Sequence, residues 1–471
     1  MTQAPASPVI MQVLPALDQG GVERGTIEMA EAITLAGGQA LVVSTGGRLE
    51  SRLRHAGGTH LALPRASSRN PLHILRNARA LERIIRAHDV ALVHARSRAP
   101  AWAARLACRR AGVPLVTTWH GDHAARFGAK KLYNAVLASG DRVIAISAHI
   151  ARRLAGEYHV GPDRLRTIPR GADIRQFSPD SVSGQRVHDL AEQWRVPPDI
   201  PVILMPGRLT AWKGQALVLQ ALGQIATTRP ELRWCCVLIG SDSQGGQYAR
   251  TLAEQAAQAG VSEHIRFAGH CDDMPAAMAM ACMVLAPSLR PEPFGRVVVE
   301  AQALAKPVIV ARHGGAIETV QDGETGLAIT PGNATELAHA IETVLDSLKR
   351  PALSWETRPD RPCLTTTQHR PCNTPPWQSM MNCWARRLPP ILRLPLHRKH
   401  SHDRSGPSVT LQPAPQPPCL HGRTQRRSPA RTGQACRALW QPPPRRGRCD
   451  RLPRGRRLHA GNIKRRAGSR A

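Results

Sequence analysis
Two carboxylates stand eight positions apart in the stretch Glu292-Pro-Phe-Gly-Arg-Val-Val-Val-Glu300. Pro293 and Gly295 punctuate a loop just after the first, and the apolar run from Val297 to Leu304 starts a buried helix. A helical turn takes about 3.6 residues, so Glu300 stays near the helix mouth where Glu292 sits, and both can reach one site. Such a pair suits a ligand rich in hydroxyl groups. Taken alone, it is more ordinarily a charged first turn facing water.

Cations gather elsewhere. Pro206-Gly207-Arg208-Leu209-Thr210-Ala211-Trp212-Lys213-Gly214 follows a strand-like run, and its glycines bracket a loop carrying Arg208 and Lys213. Arginine forks two oxygens and lysine acts as a point charge, so the pair can neutralise a pyrophosphate. A departing nucleoside diphosphate gathers negative charge, which fixed cations would stabilise. The bland alternative is a pair of surface cations. Gln19-Gly20-Gly21-Val22-Glu23 lies between a strand and a helix. Gly20 and Gly21 admit a close ligand, and the helix that follows offers free N–H groups to phosphate; a mere tight turn has the same composition. In Thr117-Thr118-Trp119-His120-Gly121-Asp122, His120 falls at the carboxyl end of a strand. There it contacts a sugar hydroxyl or the reacting centre, unless it is a satisfied structural histidine. Gly314-Gly315, in Arg312-His313-Gly314-Gly315-Ala316-Ile317-Glu318, either lends backbone N–H groups or only turns the chain.

These groups need a frame, and the hydrophobic pattern supplies one. Short apolar runs alternate with segments of helical period from Val9 to about Leu348, the signature of α/β architecture with parallel sheets covered by helices. The expected strands are Ile10–Leu14, Ala40–Ser44, Ala91–His94, Pro114–Thr118, Arg142–Ile146 and Leu165–Ile168, then Val202–Met205, Trp234–Ile239, Ile265–Ala268, Met283–Ala286 and Val308–Val310. A Pro/Ser/Gly-bearing seam at Gln176–Pro201 separates the two series. The expectation is two doubly wound domains, 1–180 and 181–350, with ligands beyond the carboxyl ends of the strands and the interdomain cleft as the default site.

Charge divides the chain differently. Residues 1–180 hold 25 Lys+Arg against 13 Asp+Glu, net +12, whereas residues 181–350 hold 14 against 17, net −3. The basic first part favours anionic partners such as a phosphorylated lipid or an acidic membrane face, and Arg126, Lys130 and Lys131 beside Leu132, Val136 and Leu137 offer one place for such contact; an ordinary amphipathic helix is the alternative. Residues 351–471 are Arg- and Pro-rich, carry net +21 and lose apolar periodicity. They are expected to be disordered. Their abrupt start suggests a shifted reading frame, and a polyanion-binding tail is the other reading. Nucleic acid is not expected as a partner. No signal peptide and no spanning helix is read, and five scattered cysteines before residue 350 suit buried thiols of a cytoplasmic protein.

Taken in order, the motifs resemble the retaining glycosyltransferases of family 4, with the GT-B fold, over about residues 10–348. Gly207-Arg208-Leu209 with Lys213-Gly214, and Glu292-Pro-Phe-Gly with Glu300-Ala301, carry the likeness most specifically, followed by Pro307-Val308-Ile309 and Gly314-Gly315. Ile168-Pro169-Arg170-Gly171-Ala172-Asp173 with Phe177 is also similar, with Arg170 where the family more often has Asn. The resemblance implies that Arg208 and Lys213 hold the diphosphate of a UDP- or GDP-sugar and that Glu300 accepts from its ribose. It places Glu292 and His120 at the donor sugar, has Phe294 and Gly295 lend backbone donors, and brings Gly20 and Gly21 to the phosphate. It implies no metal and no further cofactor. The acceptor would be an envelope glycan or lipid-linked molecule, with lipopolysaccharide biosynthesis at the inner membrane face as the setting. The family normally continues with a helix that braces both domains where this chain has its Pro/Arg-rich tail. A catalytically impaired remnant is therefore the alternative.

Overall fold
The computed structural model describes residues 7–18, 20–123, 128–242 and 245–349, which belong to one compact unit. Gln19, Arg126 and the segment 351–471, with its expected disorder, lie outside the described residues.

Among the described residues, thirteen strands form two parallel sheets. The first holds β1 (Val9–Val13), β2 (Gln39–Ser44), β3 (Thr59–Ala62), β4 (Val90–Ala95), β5 (Leu115–Trp119), β6 (Arg142–Ala145) and β7 (Leu165–Thr167), in the order β3-β2-β1-β4-β5-β6-β7. The second holds β8 (Val202–Pro206), β9 (Cys235–Ile239), β10 (Ile265–Gly269), β11 (Met283–Ala286), β12 (Val308–Ala311) and β13 (Gly326–Ile329), in the order β10-β9-β8-β11-β12-β13. The central strands read as nearly unbroken apolar runs because helices cover both their faces: every residue of β1, β5, β8 and β9 is buried.

Strand order reverses between β1 and β4 in the first sheet and between β8 and β11 in the second. At such a point the loops leave to opposite sides and open a crevice at the carboxyl ends. The loops after β1, β4, β8 and β11 carry Gly20-Gly21, Arg96, Arg208 with Lys213, and Ser288 with Glu292. The topology thus sends the sequence motifs to two crevices.

Two strands escaped the pattern. Thr59–Ala62 is an edge strand with none of its four residues buried, and Gly326–Ile329 is an edge strand starting at a glycine, so neither shows a long apolar run. The seam is also more ordered than its composition suggests. It contains a helix, Gly184–Gln193, capped by Ser183, whose Arg186 forks Asp273 at 2.6 and 2.7 Å. The membrane reading of the segment after residue 126 loses two of its apolar residues, because Val136 and Leu137 are buried in the first core and only Leu132 stands exposed. Among the described residues, no helix is long and apolar enough to cross a membrane, and Cys108, Cys235, Cys236 and Cys271 are buried free thiols.

Candidate active site
The loop after β8 is shaped by its glycines. Gly207 leaves the strand at φ 154°, and Gly214 adopts φ 91° at the start of the helix Gln215–Thr228, where any side chain would run into the Pro287 carbonyl. Between them a 3-10 turn, Ala211–Lys213, presents the lysine. The Lys213 ammonium lies 4.6 Å from the centre of the Trp212 ring and donates to Glu292 Oε1, which also accepts from Ser288 Oγ at 2.7 Å. Both bonds fall on one oxygen, so Oε2 keeps its acceptor capacity. Arg208 differs: its backbone carbonyl is held by Gln215 Nε2 at 3.1 Å, but its guanidinium is exposed and has no partner among the described residues.

The second carboxylate belongs to another group. Gly295 (φ 84°) opens the helix Arg296–Ala303, and a Cβ there would press on Ala316. Glu300, one turn inside, is 4 % exposed and accepts from Arg296 Nε at 3.1 Å. Burial raises its carboxyl pKa, against the pull of Arg296 and Arg24. Arg296 also donates to Glu28 at 2.5 Å, on the helix Gly21–Leu35 of the first sheet. The two glutamates therefore share a helix end but pair with different cations. Phe294, expected only as a backbone donor, places its side chain in the apolar cluster of the first domain. Neither its N–H nor that of Gly295 has an acceptor among the described residues.

His120 stands at the end of β5, as expected, and its state follows from one contact. Arg170 donates to the Gly21 carbonyl at 2.6 Å and approaches His120 Nδ1 at 2.5 Å. A guanidinium can only donate, so Nδ1 must accept. Burial first, then Arg170 and Arg96, hold the imidazole well below its usual pKa. The ring is neutral near pH 7, and its proton sits on Nε2, a buried atom without a protein partner. His120 is thus a poised hydrogen-bond donor. Gly21 is needed at this spot, since a Cβ would lie 2.7 Å from Arg170 and 3.8 Å from Arg296 Cδ. Gly20, at φ 138°, leads into the same turn. Arg96, on the loop after β4, completes the cluster. It donates to Gln12 Oε1 at 2.9 Å while its Nε has no partner, and burial pushes its pKa down to about 9.

The Gly314-Gly315 pair proves to be a close-packing turn. A side chain at Gly314 would lie 2.6 Å from the Glu292 backbone, and the Gly315 N–H donates to the Glu292 carbonyl at 2.6 Å. Ser147 Oγ donates to the Pro293 carbonyl at 2.6 Å, and the Glu318 carboxylate accepts from the N–H groups of Ala148 and His149. These contacts hold the Glu292–Gly295 loop against the first domain. The structure thus joins Lys213 with Glu292, and Gly21, His120 and Arg170 with Arg296 and Glu300, but brings Arg208 to none of them. Sequence reasoning missed Arg96, Arg296, Ser288 and Glu318. Arg96 carried a usable signal, its position just beyond a strand at a sheet's reversal point.

Comparison with known proteins agrees with this architecture. The model of "Glycosyltransferase Family 4" matches residues 19–176 and that of "Glycosyl transferases group 1" matches residues 188–353. A phosphatidylinositol monomannoside mannosyltransferase of Mycolicibacterium smegmatis, named as GDP-mannose-dependent and alpha-(1-6), is 30% identical over 58% of this chain and 72% of its own length. A D-inositol 3-phosphate glycosyltransferase of Acidothermus cellulolyticus is 33% identical over 51% of this chain, which spans 56% of that relative. A solved glycosyltransferase from Rickettsia africae superposes with TM-score 0.68 at 32% identity, covering 74% of this chain and 91% of that one. Anabaena HepE, solved with UDP and glucose, superposes with TM-score 0.63 at 26% identity, covering 74% and 92%. The fold is GT-B, and the chain belongs to the family 4 glycosyltransferases.

Proposed function
We propose that the chain moves a sugar, with retention of configuration, from a nucleoside diphosphate sugar to a hydroxyl of an envelope glycan or lipid-linked acceptor. Residues 181–350 form the donor-binding domain and residues 1–180 the acceptor side. The observation that carries this reading is the Lys213–Glu292 ion pair at the reversal point of the second sheet, with unpartnered Arg208 on the same loop. Arg208 and Lys213 hold the diphosphate and stabilise it as it leaves. Glu300 accepts from the ribose hydroxyls, Glu292 and the Nε2–H of His120 contact the sugar, and the N–H groups of Phe294 and Gly295 and the Gly20-Gly21 turn close on the phosphates. The relatives named above support UDP- and GDP-sugars as the donors to try. Lipopolysaccharide or a related glycan is the acceptor class in view, at the inner membrane face. The net charge of the first 180 residues and exposed Leu132 support peripheral contact there.

Thermal unfolding with UDP-glucose and GDP-mannose, followed by transfer or donor-hydrolysis assays, tests the proposal. One donor should raise the melting temperature and be consumed. Arg208→Ala should lower kcat and kcat/KM together, by about 100-fold or more. Glu300→Ala should mainly weaken donor binding. A change confined to KM in Arg208→Ala would remove its leaving-group role, and unchanged nucleotide affinity in Glu300→Ala would remove the ribose assignment.

A further inference from the structure
A cavity of about 390 Å³ is lined by Arg69, Arg98, Asp122, His123, Lys130 and Arg290. Its walls come from both sheets' loops. Asp122 and His123 follow His120 in the chain, and Arg290 precedes Glu292 by two residues. Two of the lining segments thus run directly into the residues assigned to the donor sugar. The cavity's volume suits a ligand of monosaccharide size.

The electrostatics are one-sided. Four cations line the cavity against one carboxylate, and that carboxylate is already paired with Arg153. Arg69, Lys130 and Arg290 have no anionic partner among the described residues. Arg98 is held by neutral groups only, donating to Asn134 Oδ1 at 2.9 Å and lying 5.7 Å from the Tyr133 ring centre. The strain of this arrangement is visible in its neighbours. Burial and then the charges of Arg98 and Lys130 push His123 down to about 4, so it stays neutral and adds no charge of its own. Like charges gathered without counter-charge disfavour one another, and an anion of matching shape relieves them. Three guanidinium forks match the oxygens of a phosphate in pairs. A dianionic phosphomonoester also offsets more of the excess than a single carboxylate.

We propose that this cavity is the acceptor subsite and that it takes a phosphate group carried by the acceptor, with Arg69, Arg98, Lys130 and Arg290 as its ligands. The proposal rests on the transferase reading above and narrows its acceptor to phosphate-bearing polyols or sugars, free or as lipid headgroups. The phosphate anchors the molecule in the first domain and leaves a hydroxyl of the same molecule to reach the donor sugar beside His120 and Glu292.

The test uses the full chain with UDP present in excess to fill the donor site, and glycerol 3-phosphate as the probe, titrated by calorimetry. Wild type should bind it. The exposed Arg69 and Lys130 are changed together to Ala, which should weaken binding by about 100-fold, roughly tenfold for each charge-assisted bond lost. Arg69→Lys keeps the charge but loses the fork, so it should weaken binding less than Arg69→Ala, and the stabilisation by UDP should survive in every variant. Unchanged glycerol 3-phosphate affinity in the double variant would overturn the proposal. If UDP fails to stabilise even the wild type while the phosphate probe still depends on Arg69 and Lys130, the donor reading fails and the anion subsite stands. Flotation with phosphatidylcholine vesicles, with and without phosphatidylglycerol, separates the sources. Capture that requires phosphatidylglycerol and is lost in the double variant assigns the phosphate to a lipid headgroup. Glycerol 3-phosphate binding without such capture assigns it to a soluble molecule.

Discussion

The two sheets present their reversal points to one another, yet they handle charge in opposite ways. In the second domain cations meet carboxylates: Lys213 with Glu292, Arg296 with Glu300, Arg186 with Asp273, Arg229 with Asp346. Arg208 on the loop after β8 and Arg290 on the loop after β11 are the exceptions among the described residues of those two loops. The first domain carries net +12 over 180 residues and leaves Arg69 and Lys130 facing a cavity unpaired, with Arg96 buried and Arg170 half-buried behind the glycine turn. An internally paired site holds its geometry without a ligand, and a ligand enters by exchanging partners. A site of unpaired cations is complete only when an anion arrives. The difference fits the proposed division between a preorganised donor grip and an acceptor side that selects by charge.

The largest effect should come from breaking the paired side. Lys213→Ala removes the cation proposed to face the leaving group and strips Glu292 of its charged partner where that side chain is only 12 % exposed. Loss of turnover by about 100- to 1,000-fold is expected from the missing electrostatic stabilisation. The melting temperature should also fall, since a nearly buried carboxylate is left uncompensated. Arg208→Ala should cost turnover without lowering the melting temperature, because its guanidinium is exposed and unpartnered. If both variants melt alike, the contrast between a compensated and a free cation on this loop is wrong.

A smaller effect is expected at the junction of the two domains. Arg170 fixes the His120 tautomer and adds its repulsion to the burial that keeps the ring neutral. Arg170→Ala should lower kcat by about tenfold, less than the roughly 100-fold or more of a lost acid–base group, because the His120 donor is misplaced rather than removed. It should also let the histidine pKa rise, so the acid limb of the kcat profile moves to higher pH. Arg170→Lys keeps the charge but cannot reach Gly21 and His120 with one planar fork. It should therefore recover the pH profile better than the rate. An acid limb that stays in place in Arg170→Ala would remove Arg170 as the group that sets the state of His120.

How much of this was legible in the chain depends on the range of the interaction. The inner strands were readable because burial on both faces writes an apolar run into the sequence, as in Val202–Pro206. Two edge strands were not: Thr59–Ala62 buries none of its residues and needs no such run, and Gly326–Ile329 is only four residues long and opens on a glycine. Single motifs announced Arg208, Lys213, Glu292 and Glu300, but not their partners. Lys213 and Glu292 lie 79 positions apart, and only the β8–β11 neighbourhood brings them together. The reading of Glu292 and Glu300 as a pair followed chain proximity, whereas the fold gives each its own cation. Phe294 was read for its backbone, and its role as an apolar plug into the other domain required knowing which core lay opposite.

The smallest effect expected is one of stability against pH, and it too divides the domains. The first buries His94 and His120 as neutral rings, and His123 is depressed to about 4. In the unfolded chain these histidines titrate near about 6.5. Between that value and their folded pKa the unfolded state binds protons that the folded state refuses, so stability is complete above about pH 6.5 and declines as pH falls toward 4. The second domain leans on carboxylates held below their usual range by arginines, Asp273 by Arg186 and Asp346 by Arg229. That contribution is present above about 4, the unfolded aspartate value, and is lost only below it. Hydrogen exchange at pH 7 and pH 5 should therefore show amides of β1, β4 and β5 losing protection while those of β8, β9 and β11 keep theirs. Equal loss in both sheets would mean that the buried histidines of the first domain are not what acid acts on, or that the Ser147–Pro293 and Arg296–Glu28 contacts make the two domains unfold as one.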